Sequence, residues 1–277
     1  MFTTIPLDDA VSIINMTHKN PAAVLGMHKV KIFDKEAIAV RTCIPDAKDV
    51  FVVDLENQKN IYHMQRVHHS GLFEALIFNR KERFKYKFKM LDYFNNEHYI
   101  NDVYSFWTEK LTEFDRYLFN CAQHYKIYDK MGAHIMEVDG VKGVHFAVWA
   151  PNAQNISVVG NFNNWDGRRH RMIKDENSGI WTLFIPDLCE GDLYKYEIKG
   201  YHGNIFLKAD PYAFYSELRP ANASIVWDIN KYKWNDAEWL HQRYYTNHYE
   251  KPISIYEVHL PSWQRTLKNE FLNYRYL

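Results

Sequence analysis

The chain has 277 residues, room for about two domains at ~100–200 residues each. Apolar residues make up 47% and aromatic residues 16%, enough for packed cores and against disorder along the whole chain. There are 34 Lys+Arg and 34 Asp+Glu, and a formal charge of zero argues against a protein that neutralises nucleic-acid phosphates.

Leu7, Val11, Ile14 and Met16 give residues 7–19 a loosely helical pattern, and Asn20-Pro21 stops it. The rhythm then changes to short apolar runs between turn residues: Ala37–Thr42, Val50–Asp54, Gly71–Ile77 and Phe84–Leu91. That is the signature of a β-sandwich. In residues 106–128, Trp107, Leu111, Phe114, Leu118 and Cys121 recur at steps of 4, 3, 4 and 3, which predicts a short helix. Strand rhythm resumes in His145–Ala150, Asn155–Gly160, Ile180–Ile185 and Leu193–Lys199. Residues 235–245 predict another short helix with Asn235 as N-cap. After Pro252, Ile253–Leu260 reads as a strand.

The two β segments repeat one another. Ile44-Pro45-Asp46-Ala47 recurs as Ala150-Pro151-Asn152-Ala153, and Val52-Val53 as Val158-Val159, both 106 residues on. Gly71-Leu72-Phe73 recurs as Gly179-Ile180-Trp181, Tyr86-Lys87-Phe88 as Tyr194-Lys195-Tyr196, and Asp102-Val103-Tyr104 as Asp210-Pro211-Tyr212, all 108 residues on. Matched blocks in the same order, drifting by two residues, indicate a tandem duplication of one sandwich, too few copies for a solenoid.

The densest candidate motif is Gly160-Asn161-Phe162-Asn163-Asn164-Trp165-Asp166. A turn that presents one indole and several amides offers what a sugar needs: a flat apolar platform for the ring C–H face and amides for the hydroxyls. Trp165 as a plug for the end of the sandwich remains the competing reading. In Leu193–Ile198, alternation puts Tyr194, Tyr196 and Ile198 on one face and Lys195 and Glu197 on the other. Lys195 there is either a ligand contact or a solvated strand-face lysine. Trp165, Asn163, Asn164 and Lys195 are therefore the candidate substrate-binding residues. His28, His134, His145 and His259 lack metal-ligand spacing, and the adjacent His68 and His69 are expected on opposite strand faces. Cys43, Cys121 and Cys189 form no Cys-x-x-Cys pair. Their sparse, odd count suits a reducing compartment. With no signal-peptide pattern and no long apolar run, a cytoplasmic protein outside the membrane is expected.

Three blocks carry a resemblance: Phe146–Ala153, Val158–Arg168 and Gly191–Tyr196. Together they resemble the family 48 carbohydrate-binding sandwich of the α-amylase superfamily. More narrowly, Leu25–His28, Tyr117–Phe119, Ile127–His134, Lys208–Ala213 and Ile255–Leu260 resemble the N-terminal part of the bacterial 1,4-α-glucan (glycogen) branching enzymes. The resemblance runs to about residue 265. It departs at Pro261, at Ala122-Gln123, and at Gly200–Gly203 where related modules place a second tryptophan.

The resemblance implies a mostly β fold: two tandem immunoglobulin-like β-sandwiches followed by the first strand of a truncated (β/α)8 barrel. It divides the chain into an N-terminal sandwich (1–106), a linker (107–134), a family 48 sandwich (135–229) and a linker helix with the start of the barrel (230–277). It implies a glucan-binding region of an enzyme that transfers α-1,4 glucan segments to 6-hydroxyls, with α-glucan as partner, no cofactor and no metal, acting as a monomer. A (β/α)8 barrel takes ~250 residues, and 26 lie from Pro252 on. The two carboxyls that a retaining mechanism needs are expected outside this sequence. No catalytic residue is assigned, Glu257 being an inward-facing first-strand residue. Ile253–Leu260 without neighbouring strands is expected to pack loosely, and residues from about 266 on to be poorly packed. The alternatives are a free-standing glucan-binding module without enzyme activity and a fragment of a debranching or trehalose-releasing hydrolase.

Overall fold

The computed structural model describes residues 3–57, 59–108 and 110–276, without the side chains of His248 and Pro261. Residues 1–229 form one compact unit and residues 230–277 a second.

The first unit opens with helix α1 (Leu7–Ile14) and a 3-10 turn at Pro21–Ala23. Seven strands follow: β1 (Gly26–Ile32), β2 (Lys35–Cys43), β3 (Ala47–Asp54), β4 (Ile61–His68), β5 (Leu72–Ile77), β6 (Tyr86–Asp92) and β7 (Glu97–Ile100). They pair antiparallel in the order β1-β2-β5-β4-β3-β6-β7. Strand β4 turns this path into a sandwich. Its first half, Ile61 to Met64, pairs with β3, and its second half, Gln65 to His68, with β5. Ile38, Val40 and Phe73 of one layer then close on Val50, Val52 and Phe88 of the other.

The same plan returns 106 to 108 residues later. Helix α2 (Glu113–Asn120) and a turn at Ile127–Asp129 stand 106 residues after α1 and its turn. Strands β8 (Gly132–Val138), β9 (Val141–Trp149), β10 (Asn155–Gly160), β11 (Ile173–Lys174), β12 (Ile180–Pro186), β13 (Leu193–Lys199) and β14 (Ile205–Lys208) follow, with short pieces β15 (Tyr215–Ser216) and β16 (Ser224–Ile225). One layer runs β11-β12-β9-β8 and the other β10-β13-β16-β15, with β14 beside β13. Residues 107–134, expected as a linker, thus carry the second copy of the helix and turn that precede the first sandwich.

The repeat extends to single interactions. His28 donates its ring N–H to the Leu25 carbonyl at 2.8 Å, and His134 to that of Met131 at 2.9 Å. Tyr86 donates to Asp102, and Tyr194 to Asp210. Arg66 lies over the Phe73 ring as Lys174 lies over Trp181. Met64 and Met172 are both fully buried. Gly71 (φ +92°) and Gly179 (φ +71°) sit where a Cβ would come 2.4 Å from Pro45 and 2.7 Å from Pro151. A left-handed backbone pressed on a proline admits only glycine. The two-residue drift arises between Val53 and Met64, equivalent to Val159 and Met172, so the extra residues belong to the loop that carries Trp165.

The copies differ under their N-terminal segments. In the first, the buried Arg41–Glu74 pair (2.9 Å) receives Thr3 and Thr4. In the second, Leu111, Met131, Ala147 and Ile180 form an apolar cluster instead. The strand rhythm in the sequence located the central strands of both sandwiches. The strands β1, β4, β7 and β8 escaped it because their exposed faces interrupt the apolar runs, and β14 because it is only four residues long.

In the second unit, helix α3 (Ala237–Tyr245) forms as expected, but Asp236 stands at its N-cap, without a side-chain cap bond, in place of Asn235. The expected strand Ile253–Leu260 is not formed. Residues 253–259 have no regular pairing, and Leu260 begins a one-turn helix α4 (Leu260–Trp263). A lone parallel-type strand has no ladder partner to fix it, and Ile253, Ile255 and Tyr256 are exposed. Glu257 is exposed rather than inward-facing. Tyr274 and Tyr276 are 83% and 74% exposed, in keeping with poor packing there, and Leu277 lies outside the described residues.

Candidate glucan-binding turn

Strand β10 ends at Gly160, and the chain turns through a 3-10 segment, Asn161–Asn163, into two successive left-handed residues, Asn164 (φ 54°) and Trp165 (φ 59°). Asparagine tolerates that region through its short polar side chain. Tryptophan does not favour it, so the surroundings hold it there. Three bonds do so. The Trp165 N–H donates to the Gly160 carbonyl (2.9 Å), the Asp166 N–H to the Asn163 carbonyl (3.0 Å), and the Trp165 indole N–H to the Asn161 Oδ1 (2.9 Å). The indole is half-buried, with its N–H already satisfied.

Asn163 is fully buried and spends its amide inside the turn. Its Oδ1 accepts the Gly160 N–H (3.0 Å), and its Nδ2 donates to the Val158 carbonyl (2.9 Å) and lies 2.8 Å from the His170 ring nitrogen. Its place in the site is to shape the turn. Asn164 is exposed. Lys195 lies on the outward face of β13 opposite Val159, half-buried, and donates to Asn222 Oδ1. The turn thus gathers Asn163, Asn164 and Trp165. Among the described interactions none joins Lys195 to Trp165. Tyr194 and Tyr196 fill the core, as the alternation predicted, and both donate to the buried Asp210 (2.7 and 3.0 Å).

Charged residues that the sequence reading did not single out complete the surroundings. Asp166 takes Arg168 in a fork, Nε at 2.9 Å and Nη2 at 2.6 Å. Burial works against its charge, yet the Arg168 hydrogen bonds hold the Asp166 carboxyl below its ordinary value. Glu197 packs on Gly167, where a Cβ would fall 2.0 Å from its Oε1. Burial, then the nearby Asp166 charge, pushes the Glu197 carboxyl up.

The chain beyond the turn meets the first sandwich. Arg171, 1% exposed, donates through Nη1 to the Ile13 carbonyl and through Nε to that of Arg168, while its own carbonyl accepts the Tyr104 hydroxyl (3.1 Å). Arg169 reaches Asp46 (3.4 Å), and Lys199 donates to the Asn15 carbonyl. In sequence, Arg168-Arg169-His170-Arg171 has the look of a solvated charge run. Only the approach of the end of α1, whose Ile13 carbonyl accepts from its guanidinium, turns Arg171 into a core residue. His68 and His69, expected on opposite faces, instead bring their rings together, tilted at 41° with centroids 3.9 Å apart, because His68 ends β4 and the chain turns at once.

No helix among the described residues is long and apolar enough to cross a membrane. Residues 7–104 match the family "alpha-1,4-glucan branching enzyme GlgB, N-terminal domain", and residues 130–213 match "Carbohydrate-binding module 48 (Isoamylase N-terminal domain)". The chain is 46% identical over 260 residues to the 1,4-alpha-glucan branching enzyme GlgB of Trichodesmium erythraeum (strain IMS101), an alignment covering 94% of this chain and 33% of that protein. It is 48% identical over 251 residues to the enzyme of the same name from Thermosynechococcus vestitus, covering 91% and 32%. The counterpart from Gloeobacter violaceus is 43% identical over 277 residues, covering 99% and 37%. A solved pullulanase from Anoxybacillus sp. LM18-11 is matched at 18% identity and a TM-score of 0.31, over 73% of this chain and 28% of that one, too distant to bear on function. The chain spans about a third of the length of the curated relatives it matches. It corresponds in sequence to the N-terminal part of 1,4-alpha-glucan branching enzymes.

Proposed function

We propose that this polypeptide is the glucan-holding N-terminal region of a glycogen branching enzyme, one that moves α-1,4-linked segments to 6-hydroxyls. The observation that carries the reading is the order of its parts: a match to a branching-enzyme N-terminal domain over residues 7–104, then one to a carbohydrate-binding module over residues 130–213. The chemistry of such an enzyme belongs to a pair of carboxyls about 5–5.5 Å apart. The sandwiches contribute by holding long glucan chains.

In this reading Trp165 offers its indole face to a sugar ring, Asn164 and Lys195 offer polar contacts, and Asn163 keeps the turn in shape. The zero formal charge supports a polypeptide that binds neither nucleic acid nor membrane, and the three unpaired cysteines support a reducing, cytoplasmic setting. It acts as a monomer. A free-standing glucan-binding module is the second reading, favoured by the compactness of residues 1–229 taken alone.

Electrophoresis through glycogen-containing gels tests binding. The 277-residue chain is expected to be retarded, and Trp165→Ala to be retarded several-fold less; equal retardation of the two would remove Trp165 from the site. An iodine-staining assay on amylose separates region from enzyme. The chain alone is expected to give no branching, and measurable turnover would overturn that division of labour.

A further inference from the structure

A cleft of about 910 Å³ lies along the junction of the two sandwiches, and none of its lining residues belongs to the Trp165 turn. That is the upper end of the ~300–1,000 Å³ range of small-ligand pockets, and junctions between domains are where such pockets concentrate. One wall comes from the first sandwich and the turn before it, with Ala22, Met27 and Arg83. The other comes from the start of the second repeat, with Trp107, Glu113 and Arg116.

The lining has a definite chemical character. Trp107 is 75% exposed, a large indole face offered to solvent at the cleft. The Phe106 ring is held against Phe184 (centroids 5.5 Å), which gives the cleft an apolar base. Cations Arg83, Arg116 and Lys174 stand among the anions Glu113 and Asp175. Arg116 and Asp175 are already partly neutralised by one another, Nε to Oδ2 at 3.5 Å. His145, 1% exposed, lines the same cleft and keeps its Nδ1 without a hydrogen-bond partner. Lys174 is spent on the Pro151 carbonyl, so no cluster of free cations is left to meet a phosphate or carboxylate. Interleaved donors and acceptors around an aromatic platform suit a neutral, hydroxyl-rich ligand.

We propose that this cleft is a second carbohydrate site, taking a linear α-glucan segment of several residues. Trp107 stacks on a sugar ring at the cleft, and Arg83, Glu113, Arg116 and Asp175 bond hydroxyls along it. The proposal rests on the reading of the chain as glucan-holding and adds a site to it. The walls belong to two sandwiches locked by the Arg171, Arg169 and Lys199 contacts, so the cleft is largely preformed and loses little freedom on binding.

Calorimetric titration of the 277-residue chain with maltoheptaose tests it, with glucose as the comparison ligand. Trp107→Ala is expected to weaken maltoheptaose binding at least five-fold, Trp107→Phe to restore part of it, and glucose to bind far more weakly than maltoheptaose. Should Trp107→Ala lose its fold, as judged by circular dichroism, the double variant Arg83→Ala/Glu113→Ala, at two exposed side chains, is expected to show the same weakening. Unchanged affinity in the folded variant, or glucose binding as tightly as maltoheptaose, overturns the proposal. Trp165→Ala separates it from the reading it rests on. Loss of binding in Trp165→Ala with none in Trp107→Ala removes the cleft and leaves the turn. The reverse removes the turn and leaves the cleft. No binding by the parent chain removes both.

Discussion

Buried ionisable side chains show how single residues are set by their surroundings. Burial, the dominant cause, with help from the Lys110 charge, pushes the His145 imidazole down to about 3, against ~6.5 for a free histidine. The unfolded chain therefore takes a proton below about pH 6.5 that the folded chain refuses. The stability associated with neutral His145 is complete above that pH and is lost as pH falls from there towards about 3, by at most about 1.4 kcal/mol per pH unit. Asp102 works in the other direction: burial raises its carboxyl to about 6, so the fold gives up stability as pH rises from about 4 to about 6. The contribution of His145 is isolated by comparing the chain with His145→Leu. Between pH 7 and pH 5 the urea midpoint of the parent is expected to fall more steeply than that of the variant, and parallel curves would contradict the assignment. Asn163 carries the other residue-scale lesson. Its composition and its place in a polar turn announce a ligand contact, whereas its two hydrogen bonds to the turn's own backbone consume it.

At the scale of elements, helix α2 is short, and an isolated helix of its length is marginal in water. Its start is secured by a capping box. Thr112 Oγ1 accepts the Asp115 N–H (3.2 Å), and Asp115 accepts the Thr112 N–H (2.8 Å). Although burial opposes its charge, bonds from Thr112, His124 and Lys130 hold the Asp115 carboxyl far below the usual carboxylate range. Thr112→Ala is expected to cost about 1 kcal/mol, read from the thermal unfolding midpoint. Gly179→Ala is expected to cost more than Thr112→Ala, because the new methyl meets Pro151 and the backbone is left-handed. The reverse ranking would mean that the turn after Ser178 can relax. The heptad-like spacing from Trp107 to Cys121 revealed that a helix was present. That this helix repeats α1 was not visible, because the two share position and C-cap geometry rather than residues: Leu7–Ile14 reads LDDAVSII and Glu113–Asn120 reads EFDRYLFN.

At the scale of the molecule, the two sandwiches are joined through Arg171, a buried cation that donates to the carbonyls of Ile13 and Arg168. Arg171→Met would remove the bond between the sandwiches at the Ile13 carbonyl, which would keep only its local backbone donors, the Met16 N–H among them. It is expected to cost about 1–3 kcal/mol and to broaden the unfolding transition of the chain; an unchanged, sharp transition would show that the sandwiches are coupled by other contacts. Residues 230–276 offer the opposite case. None of those described there is buried, and aromatic side chains such as Tyr232, Trp234, Tyr244 and Tyr249 are exposed. Limited chymotrypsin digestion is expected to cleave within 230–277 first and to leave a resistant core ending near residue 229. Early cleavage inside either sandwich would contradict the two-unit division.

The sequence by itself determined the duplicated β architecture, the central strands and the faces they bury. Apolar alternation and turn residues are local constraints, and a repeat writes them twice. It also determined the likeness to branching enzymes, carried by contiguous motifs. Only the tertiary structure decided that Asn163 serves the turn, that Arg171 locks the sandwiches together, and that a cleft opens between the repeats. Each of those depends on which distant segment lies alongside, and burial, hydrogen-bond partners and strand pairing belong to that neighbour as much as to the residue itself.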